Sequence, residues 1–288
     1  MNIIPRSELI INKDGSIFHL HLKSEHIAKD IILVGDPGRV EIVSSYFDKV
    51  EFKIQNREFL THTGYYNNKH ISVISTGIGT DNIDIVVNEL DAIVNIDFEK
   101  RIIKNKHTSL NFIRIGTSGA LQTDVPVDSF LMSKMAIGFD GMLNYYANRN
   151  KVSKLEIEKA FVKFTNWNKQ LAAPYFVEAS TKLINQFGEG IKKGITISAP
   201  GFYGPQGRQL RLVTADPLLN DKITDFDFNG EKITNYEMES SAIFGLSKLL
   251  GHNAATICAI IANRVKKEYS NDYKPIIKKL IEHVLERI

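Results

Sequence analysis

The fold is decided by the stretch Asp30–Ile31–Ile32–Leu33–Val34–Gly35–Asp36–Pro37–Gly38–Arg39. Its first half is an unbroken apolar run, which is typical of a strand buried on both faces of a sheet. A glycine- and proline-rich turn follows, and Val40, Val43 and Phe47 then recur at helical spacing. Strand, turn and helix in this order predict one unit of an α/β protein. The N–H groups of the turn, with Arg39 beside them, suit an anion, although a plain tight turn fits equally well.

Similar patterns recur along the chain of 288 residues. Further strands are predicted at Ile17–Leu22, Phe59–Tyr65, His70–Ser75, Asn111–Ile115, Phe130–Ile137, Ile195–Ser198 and Ala255–Ala262. Helices are predicted from Ile83 to Val94, over most of residues 141–194 and from Pro275 to the end, with an irregular surface connection over Asp97–Ser109. No repeat or low-complexity linker marks a boundary. We therefore expect one α/β domain with a mostly parallel or mixed sheet.

The composition excludes several classes of protein. A net charge of +3 with scattered lysines does not indicate a nucleic-acid binder, and no apolar run is long enough for a membrane span. The N-terminus lacks a signal-peptide pattern. The only cysteine, Cys258, lies within an apolar run, so we expect a buried free thiol and a cytoplasmic protein.

Three further segments carry candidate site residues. Arg114 interrupts the apolar run of a buried strand, and the following Gly116–Thr117–Ser118–Gly119 is predicted to form a turn. A buried guanidinium needs a partner, and the adjacent backbone amides and hydroxyls favour an anion site over a structural ion pair. The stretch Pro200–Arg208 combines aromatic, amide and guanidinium groups, which suit the binding of a flat ring. The alternative is a plain surface loop. In Asn235–Ser241, two glutamates flank a methionine where a helix begins. Taken alone, a favourable interaction with the helix dipole is the simpler explanation of the pair.

In their order, these motifs resemble those of the nucleoside phosphorylase-I family, and among its members the uridine phosphorylases. The motifs are Gly35–Val40, Ser75–Gly79, Arg114–Gly119 and Tyr236–Ser240. The resemblance runs from about Phe18 to Ile288; residues 1–16 form an N-terminal extension, and 97–109 and 141–194 match least. It implies a single domain over residues 1–288, three α/β/α layers and a mixed, partly barrel-like sheet.

The resemblance also implies the site. Phosphate would be bound by Gly35, Arg39, Arg57, Arg114 and Thr117, with Arg57 supplied by a neighbouring subunit. Ribose would be bound by His19, Glu237, Met238 and Glu239, with His19 reaching the 5′-hydroxyl across the interface. The base would be bound by Phe202, Gln206 and Arg208. Catalytic roles would fall to Arg208, Gln206, Glu239 and Arg114.

The implied activity is that of a pentosyltransferase of pyrimidine salvage, which converts uridine and phosphate to uracil and ribose 1-phosphate. Phosphate is the co-substrate, and neither a metal nor a redox cofactor is expected, although the resemblance allows K⁺ near Glu58 and Ser75. The subunit arrangement implies a homodimer at least, with a hexamer as the alternative.

Rival interpretations remain open at this point. A purine nucleoside phosphorylase would carry an acidic aspartate where Asn263 appears, and a hydrolytic nucleosidase would have no use for Arg39, Arg57 and Arg114. An inactive nucleoside-binding relative is the third alternative. Thr80–Asp81 and Gly204–Pro205 depart from the family pattern, which leaves the preference among uridine, deoxyuridine and thymidine open.

Overall fold

A computed structural model describes residues 3–288 as a 12-stranded mixed sheet with helices on both faces, together with a separate two-stranded sheet formed by Ile96–Asp97 and Ile102–Ile103. Met1 and Asn2, part of the expected N-terminal extension, lie outside the described residues. The strands are β1 (Asp30–Val34), β2 (Lys49–Asn56), β3 (Phe59–Tyr66), β4 (Lys69–Ser75), β5 (Ile96–Asp97), β6 (Ile102–Ile103), β7 (Asn111–Ala120), β8 (Phe130–Gly138), β9 (Tyr175–Glu178), β10 (Lys192–Ser198), β11 (Asp227–Phe228), β12 (Glu231–Glu237), β13 (Asn253–Asn263) and β14 (Glu268–Tyr269). The α-helices are α1 (Pro37–Ser44), α2 (Thr80–Asn95), α3 (Leu155–Thr165), α4 (Thr181–Phe187), α5 (Leu219–Asp225), α6 (Ser240–Leu250) and α7 (Lys274–Leu285).

Five strands of the sheet close on themselves. They follow one another in the order β12, β10, β8, β13 and β7, and β7 pairs back with β12 through Ala120 opposite Asn235 and Gly119 opposite Tyr236. The pairs β8–β13 and β7–β12 are antiparallel, and the other three are parallel. Beyond β7, the strands β1, β4, β3 and β2 extend the sheet as an open arm. The expected mixed and partly barrel-like sheet is confirmed.

Alternate residues of β1 face opposite helical layers. Ile31 and Leu33 pack in an apolar cluster with residues of α2 and α6, whereas Ile32 and Val34 pack with residues of α1 and α7. Both faces of the strand are therefore covered, which is why its run is apolar throughout. Within residues 3–288, no helix has both the length and the apolar character needed to cross a bilayer.

Several local predictions are corrected by the structure. Ile17–Leu22 forms a turn instead of a strand, closed by a bond from Ile17 N to Leu22 O. Gly116–Gly119 does not form a turn, because β7 continues through it to Ala120 with β13 paired alongside. The connection over Asp97–Ser109 contributes to the small β5–β6 hairpin.

The stretch 141–194 is less helical than predicted. It contains α3 and α4, but also β9, whose residues from Tyr175 to Glu178 pair antiparallel with β8. The strands β2 and β12 and the helix α5 were not predicted at all. The strand β2 carries a usable signal, because Val50, Phe52 and Ile54 alternate with polar residues. The strand β12 pairs with β10 and β7, which are distant in sequence, so its local pattern carries less signal.

Gly194 lies where β10 and β12 approach closely in the barrel. A Cβ at Gly194 would lie 2.2 Å from Thr234 Oγ1 and 2.3 Å from Thr234 Cγ2. Thr234 is buried, and its hydroxyl donates to Ile195 O at 2.9 Å. We expect Gly194→Ala to lower the free energy of unfolding by about 1–3 kcal/mol through overpacking.

Urea denaturation of Gly194→Ala, Thr234→Ala and the double variant would measure this effect. Removing the Thr234 side chain provides room for the new methyl group, so the double variant should be more stable than the sum of the two single effects predicts. Strictly additive losses would contradict the proposed steric cause.

Candidate active site

One cavity of about 1110 Å³ collects most of the predicted site residues. Its walls come from the turn after β1, the turn after β4, strand β7, the loop after β10, the β12–α6 junction and the end of β13. Predicted residues that line it are Gly35, Arg39, Arg114, Thr117, Phe202, Gln206, Arg208, Glu237, Met238 and Glu239. Segments that are far apart in sequence therefore meet at this cavity. Of the predicted site residues, His19 and Arg57 lie outside it.

Arg114 is the central charge of the cavity. Its Nε donates to Glu237 Oε2 at 3.2 Å, and its Nη2 donates to Glu239 Oε2. Burial alone would lower the pKa of Arg114, but the two carboxylates outweigh that effect and raise it. Nη1 is buried and has no partner within residues 3–288. Arg114 therefore keeps the two N–H donors of Nη1 for a ligand, because buried donors are costly to leave unsatisfied.

A second guanidinium lies close to the first. Arg39 Nη1 donates to Ile115 O at 3.2 Å, and Arg39 carries no ion pair within the described part of the chain. Burial lowers the pKa of Arg39, and the positive charge of Arg114 lowers it further. Two neighbouring guanidiniums repel each other unless an anion lies between them, so this part of the cavity is suited to phosphate.

The two glutamates have different environments. The carboxylate of Glu237 accepts from Ser198 Oγ at 2.6 Å and from the backbone N–H groups of Glu239 and Ser240 at 3.0 Å each. It thereby caps the start of α6, as the dipole argument anticipated. Glu239 instead accepts from Gly79 N at 2.8 Å and from Arg114. Burial raises the pKa of Glu239, although Arg114 acts in the opposite direction.

The loop after β10 presents an amide and a guanidinium together. The Arg208 guanidinium lies 3.8 Å from the centre of the Phe202 ring, and its Nη1 donates to Phe202 O at 2.6 Å and to Gln206 Oε1. Gln206 is 3% exposed, and its Nε2 has no partner within the described residues. Burial and the nearby charge of Arg264 lower the pKa of Arg208 to about 10. Arg208 is still positively charged near pH 7.

Residues that sequence reasoning missed hold this loop in place. Arg264 Nη1 donates to Gln206 O at 2.7 Å, and Asn220 Nδ2 donates to the same oxygen at 3.2 Å. Asn220 also accepts from Tyr236 OH at 2.9 Å. Arg264 and Tyr236 line the cavity as well. The position of Arg264 at the end of a predicted strand was a usable signal, whereas nothing local marked Asn220.

Asn263 has no hydrogen-bonding capacity left for a substrate. It is 0% exposed, and its Nδ2 donates to Gln122 O and Val125 O at 2.9 Å each. Its Oδ1 accepts from Val265 N at 3.1 Å and from Lys266 N at 2.9 Å. Asn263 therefore holds the loops at the end of β13 and provides no proton.

The two residues assigned to a neighbouring subunit lie on the outer surface. Arg57 is exposed at the tip of the β2–β3 hairpin, with φ at 54°. Asn56 Nδ2 donates to His19 O at 2.7 Å, so the hairpin and the His19 turn are joined. Glu58 lines the cavity, and Ser75 Oγ donates to Glu58 O at 2.6 Å. The K⁺ near these two residues stays a prediction.

Two other features lie away from the predicted motifs. A cavity of about 810 Å³ is lined by residues around α3 and β9, and none of the predicted site residues borders it. Asp91, His107 and His252 place ligand atoms within 4.8 Å of one another. His252 Nδ1 accepts from Leu110 N, so Nε2 carries the hydrogen that is donated to Asp91. Hydrogen bonding accounts for that cluster.

Comparison with known proteins identifies relatives of this chain. A uridine phosphorylase of Thermococcus kodakarensis is 31% identical over 265 residues, which cover 89% of this chain and 81% of that protein. A DeoD-type purine nucleoside phosphorylase of Listeria monocytogenes is 28% identical, covering 84% of this chain and 85% of that protein. The structure of a Trypanosoma brucei nucleoside phosphorylase that shows uridine phosphorylase activity superposes with a TM-score of 0.88 at 31% identity, covering 97% and 98% of the two chains.

A family model of the phosphorylase superfamily matches residues 29–286. These residues include all four motifs on which the resemblance was based, together with every residue named above that lines the larger cavity. The chain belongs to the phosphorylase superfamily.

Proposed function

We propose that the protein is a uridine phosphorylase, which catalyses the reversible phosphorolysis of uridine to uracil and ribose 1-phosphate. The observation that carries this proposal is the grouping of three chemistries in one cavity. Arg39 and Arg114 suit phosphate, Glu239 suits the sugar, and the Gln206–Arg208 pair suits the edge of a uracil ring. The proposal treats residues 1–288 as one phosphorylase domain.

The sugar becomes positively charged in the transition state of such a reaction. Phosphate approaches one side of the ribose as an anion, held by Arg39, by Nη1 of Arg114 and by the Thr117 hydroxyl. Glu239, fixed by Gly79 N and Arg114, places a carboxylate for the ribose hydroxyls. These charges are held in place before the substrate binds, which is the most effective form of electrostatic stabilisation.

The leaving uracil becomes negatively charged as the glycosidic bond breaks. Arg208 provides a charged donor and Gln206 an amide donor for that developing charge, while Phe202 offers a ring on which the base can stack. Both donors are held by the contacts of the loop with Arg264 and Asn220. The mechanism needs no covalent protein nucleophile.

Assembly and location complete the proposal. Phosphate is the co-substrate in this family, and K⁺ near Glu58 and Ser75 is a further proposal. His19 and Arg57 would complete the site of a neighbouring subunit, so a homodimer is the minimal assembly and a hexamer is the alternative. The single cysteine of the sequence favours a cytoplasmic location.

A purine nucleoside phosphorylase is the second candidate, because the Listeria monocytogenes enzyme is nearly as similar. Such an enzyme would need an acid at the position of Asn263 to protonate the purine ring. The Asn263 side chain is engaged in four bonds to backbone groups and is fully buried. This observation favours the pyrimidine substrate.

The direct test is an assay of purified protein with uridine and phosphate. We expect release of uracil and ribose 1-phosphate, a strict requirement for phosphate, and much slower turnover of inosine. Chromatography of the products measures all three. Equal rates with and without phosphate would contradict a phosphorylase, and faster turnover of inosine would favour the purine alternative.

Arg208→Ala should lower kcat for uridine by a factor of about 100 or more, as does loss of a donor to a developing anion in other enzymes. Arg211→Ala is the matched control, because Arg211 is an exposed arginine of the same loop region that does not line the cavity. Steady-state kinetics of both variants provides the comparison. Similar rates for the two variants would mean that Arg208 does not stabilise the leaving base.

Asn263→Asp should not create a purine-specific enzyme. The exchange replaces an amide that donates to Gln122 O and Val125 O with a carboxylate, so both carbonyls lose their donor, and that of Val125 lies in a buried contact. We expect a loss of about 2 kcal/mol or more in the free energy of unfolding, measured by urea denaturation, and no gain in turnover of inosine. A stable variant with increased inosine turnover would overturn this assignment of Asn263.

A further inference from the structure

One carboxylate organises the turn that carries His19. Glu89 on α2 accepts from His19 N at 3.0 Å and from Leu20 N at 2.8 Å. Its Oε1 also lies 2.7 Å from His19 Nδ1. The Glu89 side chain is 13% exposed, so these bonds converge on a largely buried anion. Glu89 therefore helps to fix the position of His19, together with the bonds that close the turn.

The same contact determines which ring nitrogen of His19 is available. An ionised carboxylate can only accept a hydrogen bond, so the hydrogen of a neutral His19 ring lies on Nδ1. Nε2 has no partner within residues 3–288 and is not enclosed, and the side chain as a whole is 28% exposed. The turn thus presents a bare acceptor nitrogen at the surface of the subunit.

This surface is joined to the hairpin that carries Arg57. Asn56, the residue before Arg57, donates to His19 O at 2.7 Å. The two side chains that the proposed function assigns to a neighbouring subunit are therefore held on one patch. An acceptor and a cation on neighbouring, hydrogen-bonded segments can complete a site that binds a sugar and a phosphate.

We propose that Glu89 is a positioning residue for phosphorolysis. By holding the Nδ1–H group, it presents His19 Nε2 to accept a hydrogen bond from the ribose 5′-hydroxyl of a nucleoside in the neighbouring subunit. This inference rests on the proposed function. A carboxylate that merely supported the folding of the subunit would instead affect all nucleoside substrates alike.

The test compares uridine with 5′-deoxyuridine, which lacks the hydroxyl in question. We expect Glu89→Gln and His19→Ala each to lower kcat/KM for uridine about tenfold, the value of one hydrogen bond, and the double variant to lose no more. With 5′-deoxyuridine, both variants should stay within about twofold of the wild type. Glu189→Gln removes a carboxylate from an exposed turn and should match the wild type on both substrates.

The possible outcomes distinguish a failure of the proposed function from a failure of the role of Glu89 alone. Absence of uridine phosphorolysis in the wild-type protein would overturn the proposed function and this inference with it. Phosphorolysis with equal losses on both substrates, or with no loss in Glu89→Gln, would overturn the role of Glu89 alone. Nitrogen-15 NMR of the wild-type protein, with His19→Ala for assignment, provides a test that does not depend on the folding of Glu89→Gln. A neutral His19 with hydrogen on Nδ1 supports the inference, and hydrogen on Nε2 would overturn it.

Discussion

The rest of the site depends on the buried ion network of Arg114 with Glu237 and Glu239. This network connects β7 to the β12–α6 junction across the closed part of the sheet. Removing one partner from such a network leaves an uncompensated charge in the interior, which costs about 3–5 kcal/mol. The three side chains are therefore held in one arrangement, and their charges need no reorganisation when a charged transition state forms.

The network also leaves one hydrogen-bonding group unsatisfied. Arg114 Nη1 is buried without a partner in the described part of the chain, and the adjacent Arg39 bonds only a neutral carbonyl. A buried donor in this condition costs about 1–3 kcal/mol, which a bound anion would recover. The cavity thus contains an unsatisfied donor, which the proposed function assigns to phosphate.

Much of the fold was predictable because several of its elements have clear local patterns. The strands β1, β3 and β4 and the helices α2 and α7 were all recognised from their apolar patterns. The continuation of β7 through Gly116 was not, because glycine normally indicates a turn. The neighbouring strand β13 explains why a glycine stands within β7. A Cβ at Gly116 would approach Cys258 Sγ to 3.0 Å. That close contact is invisible in the sequence, as are the partners of β9 and α5.

The sequence by itself determined the alternation of strands and helices, the order of the motifs and hence the family, and the kinds of side chain at the candidate site. Only the tertiary structure decided which of their atoms are free. It engages Glu237 in capping a helix and Asn263 in holding loops, adds Arg264 to the cavity wall, and keeps His19 on the outer surface through Glu89. The reason is physical: the hydrogen-bonding capacity of a side chain is shared among neighbours from distant parts of the chain, and folding alone brings them together.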